Sequence, residues 1–337
     1  MTKVLITGGL GYRGSHLVCK LVKKGYFVVI TDYSYSIEPF HQILKAIGKE
    51  NENKVFLYNI DIRSEKIRSV FSENEISCVI HFARIKTIPE SFLFPIECYE
   101  NNFYGTLNIL KVMREFEVFN FIFGSSYEAY FDNKNTSFEK SLEFTEKMME
   151  DICFSDKRWN IFSIRNFQLC GMKKEFSFER EDPFRILSEV AYSNTIEKKN
   201  ENYNISGNDY SESHDGTLVR DFMHISDFSR GYLYILKNIL QGEQSVENFQ
   251  KNKVNYYDIC SSKPISYLEL VNVFIFVNSQ TYHISLPIKF QERKENDICL
   301  IISKENRMYE DFGFRPKKTI ENMCKESWES TILSHKS

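Results

Sequence analysis

Short apolar runs alternate with stripes of helical period through the first half of the chain. The runs fall at 3–7, 27–31, 55–59, 78–82, 119–124 and 160–165, and the stripes at 15–24, 64–73 and 100–116. Alternation of this kind predicts a Rossmann-type α/β fold, a doubly wound parallel sheet whose ligand lies across the carboxyl ends of its strands. Past about Leu169 the alternation weakens. Strand-like runs at 254–259 and 284–290 flank a helical pattern at 267–277, the polar stretch 197–203 reads as an exposed connection, and 319–332 reads as an amphipathic helix. The expected organisation is a dinucleotide-binding domain over 1–169, with later segments around 207–240 interleaved, and a smaller α/β substrate lobe over 170–337.

The first run leads into the most informative motif. Val4-Leu5-Ile6 is followed by Thr7-Gly8-Gly9-Leu10-Gly11-Tyr12-Arg13-Gly14-Ser15-His16, then by the helical positions Leu17, Val18, Leu21 and Val22. A strand, a glycine-rich turn and a helix are the context a dinucleotide loop requires. Gly8 serves the turn, Gly11 a close backbone approach to a pyrophosphate, and Gly14 the packing of helix on strand. Phosphates then meet unpaired N–H groups at the helix N-terminus. The second strand ends in Asp32, where a carboxylate accepts from the adenosine ribose and repels a 2′-phosphate, which favours NAD over NADP.

Composition narrows the alternatives. The chain has 337 residues, 42% of them hydrophobic, and a net charge of -3, so nothing electrostatic points to a nucleic-acid partner. No apolar stretch is long enough to span a bilayer. The opening Met-Thr-Lys runs directly into a strand, which predicts no export signal and a cytoplasmic location. Cys19, Cys78, Cys98, Cys153, Cys170, Cys260, Cys299 and Cys324 lack metal-type spacing, so reduced thiols and no metal are expected.

Several further segments carry a resemblance. His81-Phe82-Ala83, Lys86, Glu90-Ser91 and Asn101 to Thr106 follow the fourth strand, and Phe121 to Ser126 forms the next one. Gly207 to Tyr210, Asp215-Gly216-Thr217 and Val219 to His224 come later, followed by Arg293 to Asp297 and Phe312-Gly313-Phe314 to Trp328. Together with the glycine loop these resemble the UDP-glucose 4-epimerases of the extended short-chain dehydrogenase/reductase class over nearly the whole chain. That resemblance implies bound NAD and interconversion of UDP-glucose and UDP-galactose by hydride removal and return at C4. A tyrosine acts as the base, tuned by a nearby lysine.

On the cofactor side the resemblance assigns Gly8, Gly11, Tyr12, Arg13, Gly14, Asp32, Asp61, Ile62, Phe82, Ala83, Lys86 and Asn101. On the nucleotide-sugar side it assigns Gln168, Arg220, Arg293, Lys294 and Asp297, and it names Ser126 as the catalytic serine. An arginine fork suits a diphosphate, although Arg220-Asp221 also reads as a structural pair in a turn. The family's dimer implies a homodimer through helices near 99–116 and 138–152.

The pattern breaks at the base. The family's Tyr-x-x-x-Lys pair is absent, because no tyrosine stands between Tyr130 and Tyr192. An ungapped count back from Trp159 and Arg165-Asn166-Phe167 puts Phe138 at the tyrosine and Leu142 at the lysine. A register anchored on Met148-Met149-Glu150 puts Leu142 or Glu143 and Glu146 or Lys147 there. Neither register supplies a phenol with a cation beside it. Tyr130 with Lys134, and Tyr127 beside Ser126, are the candidate replacements.

Other positions depart as well. Arg13, Arg84, Gly124 and Gln168 stand where the family has an apolar residue, a small residue, a serine and an asparagine, and 173–182 does not resemble the uridine-binding segment. A long side chain at Arg84 is expected to crowd the cofactor. Two readings follow: an epimerase with an altered base, or a protein that holds NAD and a UDP-sugar without turnover.

Overall fold

The computed structural model describes residues 2–34, 36–84, 88–130, 136–171, 176, 182–241, 252–294, 297–303 and 305–335. The chain folds as two units, one made of Met1–Asn166, Ser229–Asp258 and Arg307–Phe314, the other of Phe167–Phe228, Ile259–Asn306 and Arg315–Ser337. The stretches that return to the first unit are therefore 229–258 and 307–314, where the sequence pattern suggested 207–240.

The first unit is built on a seven-stranded sheet. Its strands are β1 (Lys3–Thr7), β2 (Phe27–Asp32), β3 (Val55–Asn59), β4 (Ile76–His81), β5 (Asn120–Phe123), β6 (Asn160–Asn166) and β7 (Asn255–Ile259), in the spatial order β7-β6-β5-β4-β1-β2-β3. Strands β1 to β6 pair in parallel, with Leu5 opposite Val29 on one side and Val79 on the other. These strands read as continuous apolar runs because helices cover both faces of such a sheet. Strand order reverses between β1 and β4, and that crevice is where this fold places a ligand.

Three helices matter for the site. Helix α1 (Tyr12–Val22) starts three residues earlier than the apolar stripe predicts, with Gly14 inside its first turn. The predicted helix 100–116 is interrupted: a π-helical turn, Glu100–Tyr104, precedes α2 (Gly105–Glu115). Helix α3 (Ser137–Ser155) is stopped at its N-terminus by a capping box, in which Thr136 accepts from the Glu139 amide and Glu139 accepts from the Thr136 amide.

The second unit carries short paired strands. Gln168–Cys170 runs parallel to Phe222–His224, and Tyr203–Ser206 parallel to Ile288–Gln291. Val219–Arg220 lies between antiparallel Ile265–Ser266 and parallel Leu300–Ile301. Helices Pro183–Thr195, Tyr267–Asn278 and Ile320–Ser334 bury Phe184, Leu187, Phe274 and Trp328 in a core of their own. No helix among the described residues is long and apolar enough to cross a membrane.

Candidate nucleotide site

A cavity of about 420 Å³ opens at the carboxyl ends of β1 to β4 in the first unit. Gly8, Leu10 and Gly11 come from the turn after β1, Asp32, Tyr33 and Ser34 from the end of β2, and Pro39 follows. Ile60, Asp61, Ile62 and Arg63 follow β3, Phe82, Ala83 and Arg84 follow β4, and Asn101 comes from the π-helical turn. Eight residues expected at a dinucleotide thus line one space: Gly8, Gly11, Asp32, Asp61, Ile62, Phe82, Ala83 and Asn101. Tyr12, Arg13 and Gly14 form the first turn of α1 beside it. Lys86 lies outside the described residues, as do Lys134 and most of 173–182.

The backbone of the glycine loop is shaped for a close neighbour. Gly8 has φ +67°, and a Cβ there would stand 2.7 Å from the Ala83 amide nitrogen. A Cβ on Gly14 would meet the Gly8 carbonyl oxygen at 2.3 Å, which is why a glycine sits inside a helix. No side chain caps the N-terminus of α1 at Gly11. Its first N–H groups are therefore oriented as an anion site next to the cavity. Asp32 accepts from the Leu10 amide at 2.8 Å while lining the cavity. These features fit an adenosine diphosphate moiety.

Arg63 escaped the sequence reading. Its guanidinium holds Asp61 with a shortest contact of 2.6 Å, and Glu100 lies 3.6 Å away. That pairing outweighs partial burial and keeps the Asp61 carboxyl below its ordinary range. The available signal was local: the Arg63 backbone amide and side chain both reach Asp61, two residues back.

Phe138 and Leu142 do not face solvent. They are 3% and 1% exposed and pack with Phe121, Phe123 and Met149 in the core between α3 and the sheet. The alternative register fares no better. Lys147 is exposed and pairs with Glu143, and Glu146 is buried against Arg165. Ser126 is buried and bridges Asn166 at the end of β6.

Tyr130 is committed elsewhere. Its hydroxyl donates to Asp258 at 2.8 Å, its ring lies 4.3 Å from the Arg165 guanidinium, and burial followed by the Asp258 charge pushes its pKa up. A general base needs the opposite shift. Tyr127 begins the single helical turn Tyr127–Tyr130 that follows Ser126.

Arg84 extends from the cavity lining toward this region. Its Nη2 donates to the Ser125 carbonyl oxygen at 3.1 Å, and its guanidinium lies 5.9 Å from the Phe123 ring and 5.6 Å from the Phe138 ring. Gly124 is a glycine for a packing reason: a Cβ there would stand 2.4 Å from the Phe82 ring, itself set edge-on against Tyr232.

In the second unit Arg293 pairs with Asp209 at 2.7 Å and lies 4.1 Å from the Tyr210 ring. Asp297 accepts from the Tyr210 hydroxyl and the Lys294 amide, both at 3.3 Å, so Arg293 and Asp297 flank Tyr210 and Lys294 joins them through its backbone. Arg220 is 7% exposed and donates to the carbonyls of Val219 and Cys299. Asp221 is taken by the Ser261 amide and hydroxyl and the Ser262 amide, so the turn pair Arg220-Asp221 is not formed through Asp221's hydrogen bonds. Burial raises Tyr267 above the ordinary phenol range, with nearby Gln168 acting weakly in the other direction.

The reversed strand order, the glycine loop and the acid at the end of β2 define a Rossmann-type dinucleotide-binding unit, and similarity over the whole chain puts it in the extended short-chain dehydrogenase/reductase class. Within it the chain belongs to the family described as GDP-mannose 4,6 dehydratase, whose model matches residues 5–327. It is 28% identical to the UDP-glucose 4-epimerase of Dictyostelium discoideum over 98% of this chain and 96% of that one. It is also 28% identical to the Bacillus subtilis UDP-glucose 4-epimerase over 99% of each. A solved Bifidobacterium longum UDP-glucose 4-epimerase in complex with NAD+ and UDP superposes with a TM-score of 0.82, at 26% identity and 99% coverage of both chains. The Stenotrophomonas maltophila enzyme with bound NAD and formylated UDP-arabinopyranose gives a TM-score of 0.86 at 21% identity, covering 100% of each.

Proposed function

We propose that this chain is a UDP-glucose 4-epimerase homologue that holds NAD and a UDP-hexose but lacks the base for hydride exchange at C4. The observation that carries it is a cavity fit for a dinucleotide beside a buried Phe138 and Leu142, the residues that the ungapped register assigns to the family's tyrosine and lysine. NAD, when bound in the family, accepts the C4 hydride. Here the N-terminus of α1 and Gly11 would hold the pyrophosphate, Asp32 the adenosine ribose, and Asp61 with Ile62 the adenine. Arg220, Arg293, Lys294 and Asp297, with Gln168, are the residues proposed for the nucleotide sugar. Phe138 has no proton to exchange, and Leu142 supplies no charge to tune one. Loss of a general base costs about 10²–10⁴ in rate. The family's homodimer, formed through α2 and α3, is part of the same proposal.

The test uses protein stripped of nucleotide and reloaded with NAD. Binding of NAD and of UDP is followed by calorimetry, and UDP-galactose is then supplied while UDP-glucose and NADH absorbance are monitored. Binding with neither product nor NADH supports the proposal. Product at a rate abolished by Ser126→Ala would overturn it in favour of an epimerase with a different base. Failure to bind either ligand would overturn it altogether.

A further inference from the structure

Arg84 is a half-buried charged group in the cavity lining with most of its hydrogen-bonding capacity unused. Nη2 donates to Ser125, but Nε and Nη1 are buried and have no hydrogen-bond partner among the described residues. A buried N–H without an acceptor costs roughly 1–3 kcal/mol, more on a charged group. The faces of Phe123 and Phe138 offset part of that cost by cation–π attraction but accept no hydrogen bond in the guanidinium plane. Charges of both signs surround the guanidinium. Burial first, and the neighbouring charge of Arg13 next, pull the Arg84 pKa down to about 9, with Glu128, Tyr232 and Glu146 acting in the other direction. At neutral pH the group keeps its proton.

The place it occupies is informative. The Gly8, Asp32 and Asp61 portion of the cavity suits the adenosine diphosphate half of a dinucleotide. Arg84 continues the lining from Ala83, and its guanidinium lies 5.6 Å from the ring of Phe138; in the register proposed above Phe138 takes the family's tyrosine position, which would be beside the reacting ring of a bound dinucleotide. We infer that Arg84 makes this end of the cavity select ligands carrying acceptor oxygens, so that the site takes an adenosine diphosphate bearing a neutral, oxygen-rich terminus, such as ADP-ribose, in preference to oxidised NAD. The oxidised nicotinamide ring is a cation and meets a like charge in a low-dielectric corner. A free ribose offers hydroxyl oxygens to Nε and Nη1. Reduced NAD, whose ring is neutral, ranks between the two. This inference rests on the dinucleotide reading above and adds which member of the ligand class the site favours.

Calorimetric titration of the full chain with ADP, ADP-ribose, NADH and NAD+ tests it, in wild type and in Arg84→Met and Arg84→Lys. ADP-ribose is expected to bind wild type about tenfold more tightly than NAD+, a ratio consistent with one screened charge interaction. Arg84→Met should erase the preference and Arg84→Lys should retain much of it, with ADP binding unchanged in both. Equal affinity for ADP-ribose and NAD+ in wild type, or a preference that survives Arg84→Met, would overturn the role of Arg84 while leaving the dinucleotide site standing. Absence of ADP binding in all three proteins would instead remove the dinucleotide reading, and this inference with it.

Discussion

Glu146 on α3 and Arg165 on β6 form a buried ion pair, with 2.9 Å between Oε2 and Nη2. Two hydroxyls complete the carboxylate: Ser125 and Ser163 each donate to Oε1 at 2.8 Å. The guanidinium lies between the rings of Tyr130 and Tyr256, at 4.3 and 4.6 Å. Its pKa is raised because the hydrogen bond and charge of Glu146 outweigh burial. One turn after Leu142, then, α3 presents an anion locked into the sheet. Removing one partner of such a pair leaves an uncompensated buried charge. Glu146→Ala is expected to destabilise the fold by about 3–5 kcal/mol. The double variant Glu146→Leu/Arg165→Met should recover much of the loss, and urea unfolding of the three proteins measures both effects.

Introducing a tyrosine at Phe138 and a lysine at Leu142 one at a time should have unequal effects. Phe138→Tyr keeps the ring in place and adds one hydroxyl near Arg84, at an expected cost of about 1–3 kcal/mol if that hydroxyl finds no partner and less if it does. Leu142→Lys puts an ammonium among Phe121, Phe123 and Met149, and its cost should exceed that of Phe138→Tyr by several kcal/mol, of the order of leaving a charge uncompensated in a core. Thermal melting separates them. A Leu142→Lys protein as stable as wild type would show that this position opens to the cavity.

The turn around Gly14 predicts a tight coupling between packing and ligand binding. Gly14→Ala must push α1 away from the Gly8 carbonyl, because a Cβ there stands at 2.3 Å from that oxygen. Overpacking of this kind costs typically about 1–3 kcal/mol. The N–H groups of the first turn move with the helix, so NAD and ADP binding should fall at least as steeply as stability. Calorimetry on the folded variant checks this.

His81 predicts a pH dependence. Its ring bridges Thr7 at 2.7 Å and Thr106 at 3.0 Å, tying β1, β4 and α2 together. Burial, with a smaller contribution from Arg84, pulls its pKa down to about 3. The unfolded chain therefore binds this proton over a pH range where the folded chain does not, and the His81 contribution to stability is complete above about pH 6.5. It declines as the pH falls from there toward 3. Urea midpoints from pH 7.5 to 4.5 should drop more steeply in wild type than in His81→Asn, and parallel curves would remove His81 as the cause.

The parallel sheet and the place of its ligand could be read from residue order, because buried parallel strands must be apolar on both faces and a glycine turn before a helix has few uses. Strands 3–7 and 55–59 appear at the predicted bounds, and Gly8, Gly11, Asp32, Asp61 and Asn101 meet at one cavity from segments far apart in the chain. That no tyrosine stands between Tyr130 and Tyr192 could be read from the residues in the same way. Three-dimensional packing decided the rest. Local propensity put the start of α1 after Gly14, whereas the approach of Gly8 draws the helix back to Tyr12. The helix expected over 100–116 contains a π-helical turn that brings Asn101 to the cavity, a backbone choice no stripe of apolar positions encodes. Asp61 read as a ligand contact, but its pairing with Arg63 depends on a turn after β3, and Tyr130 read as a spare base until Asp258, 128 residues later, took its hydroxyl. Periodicity reports which face of an element is buried. The partner that the Tyr130 hydroxyl finds stands 128 residues away, and so belongs to the tertiary structure alone.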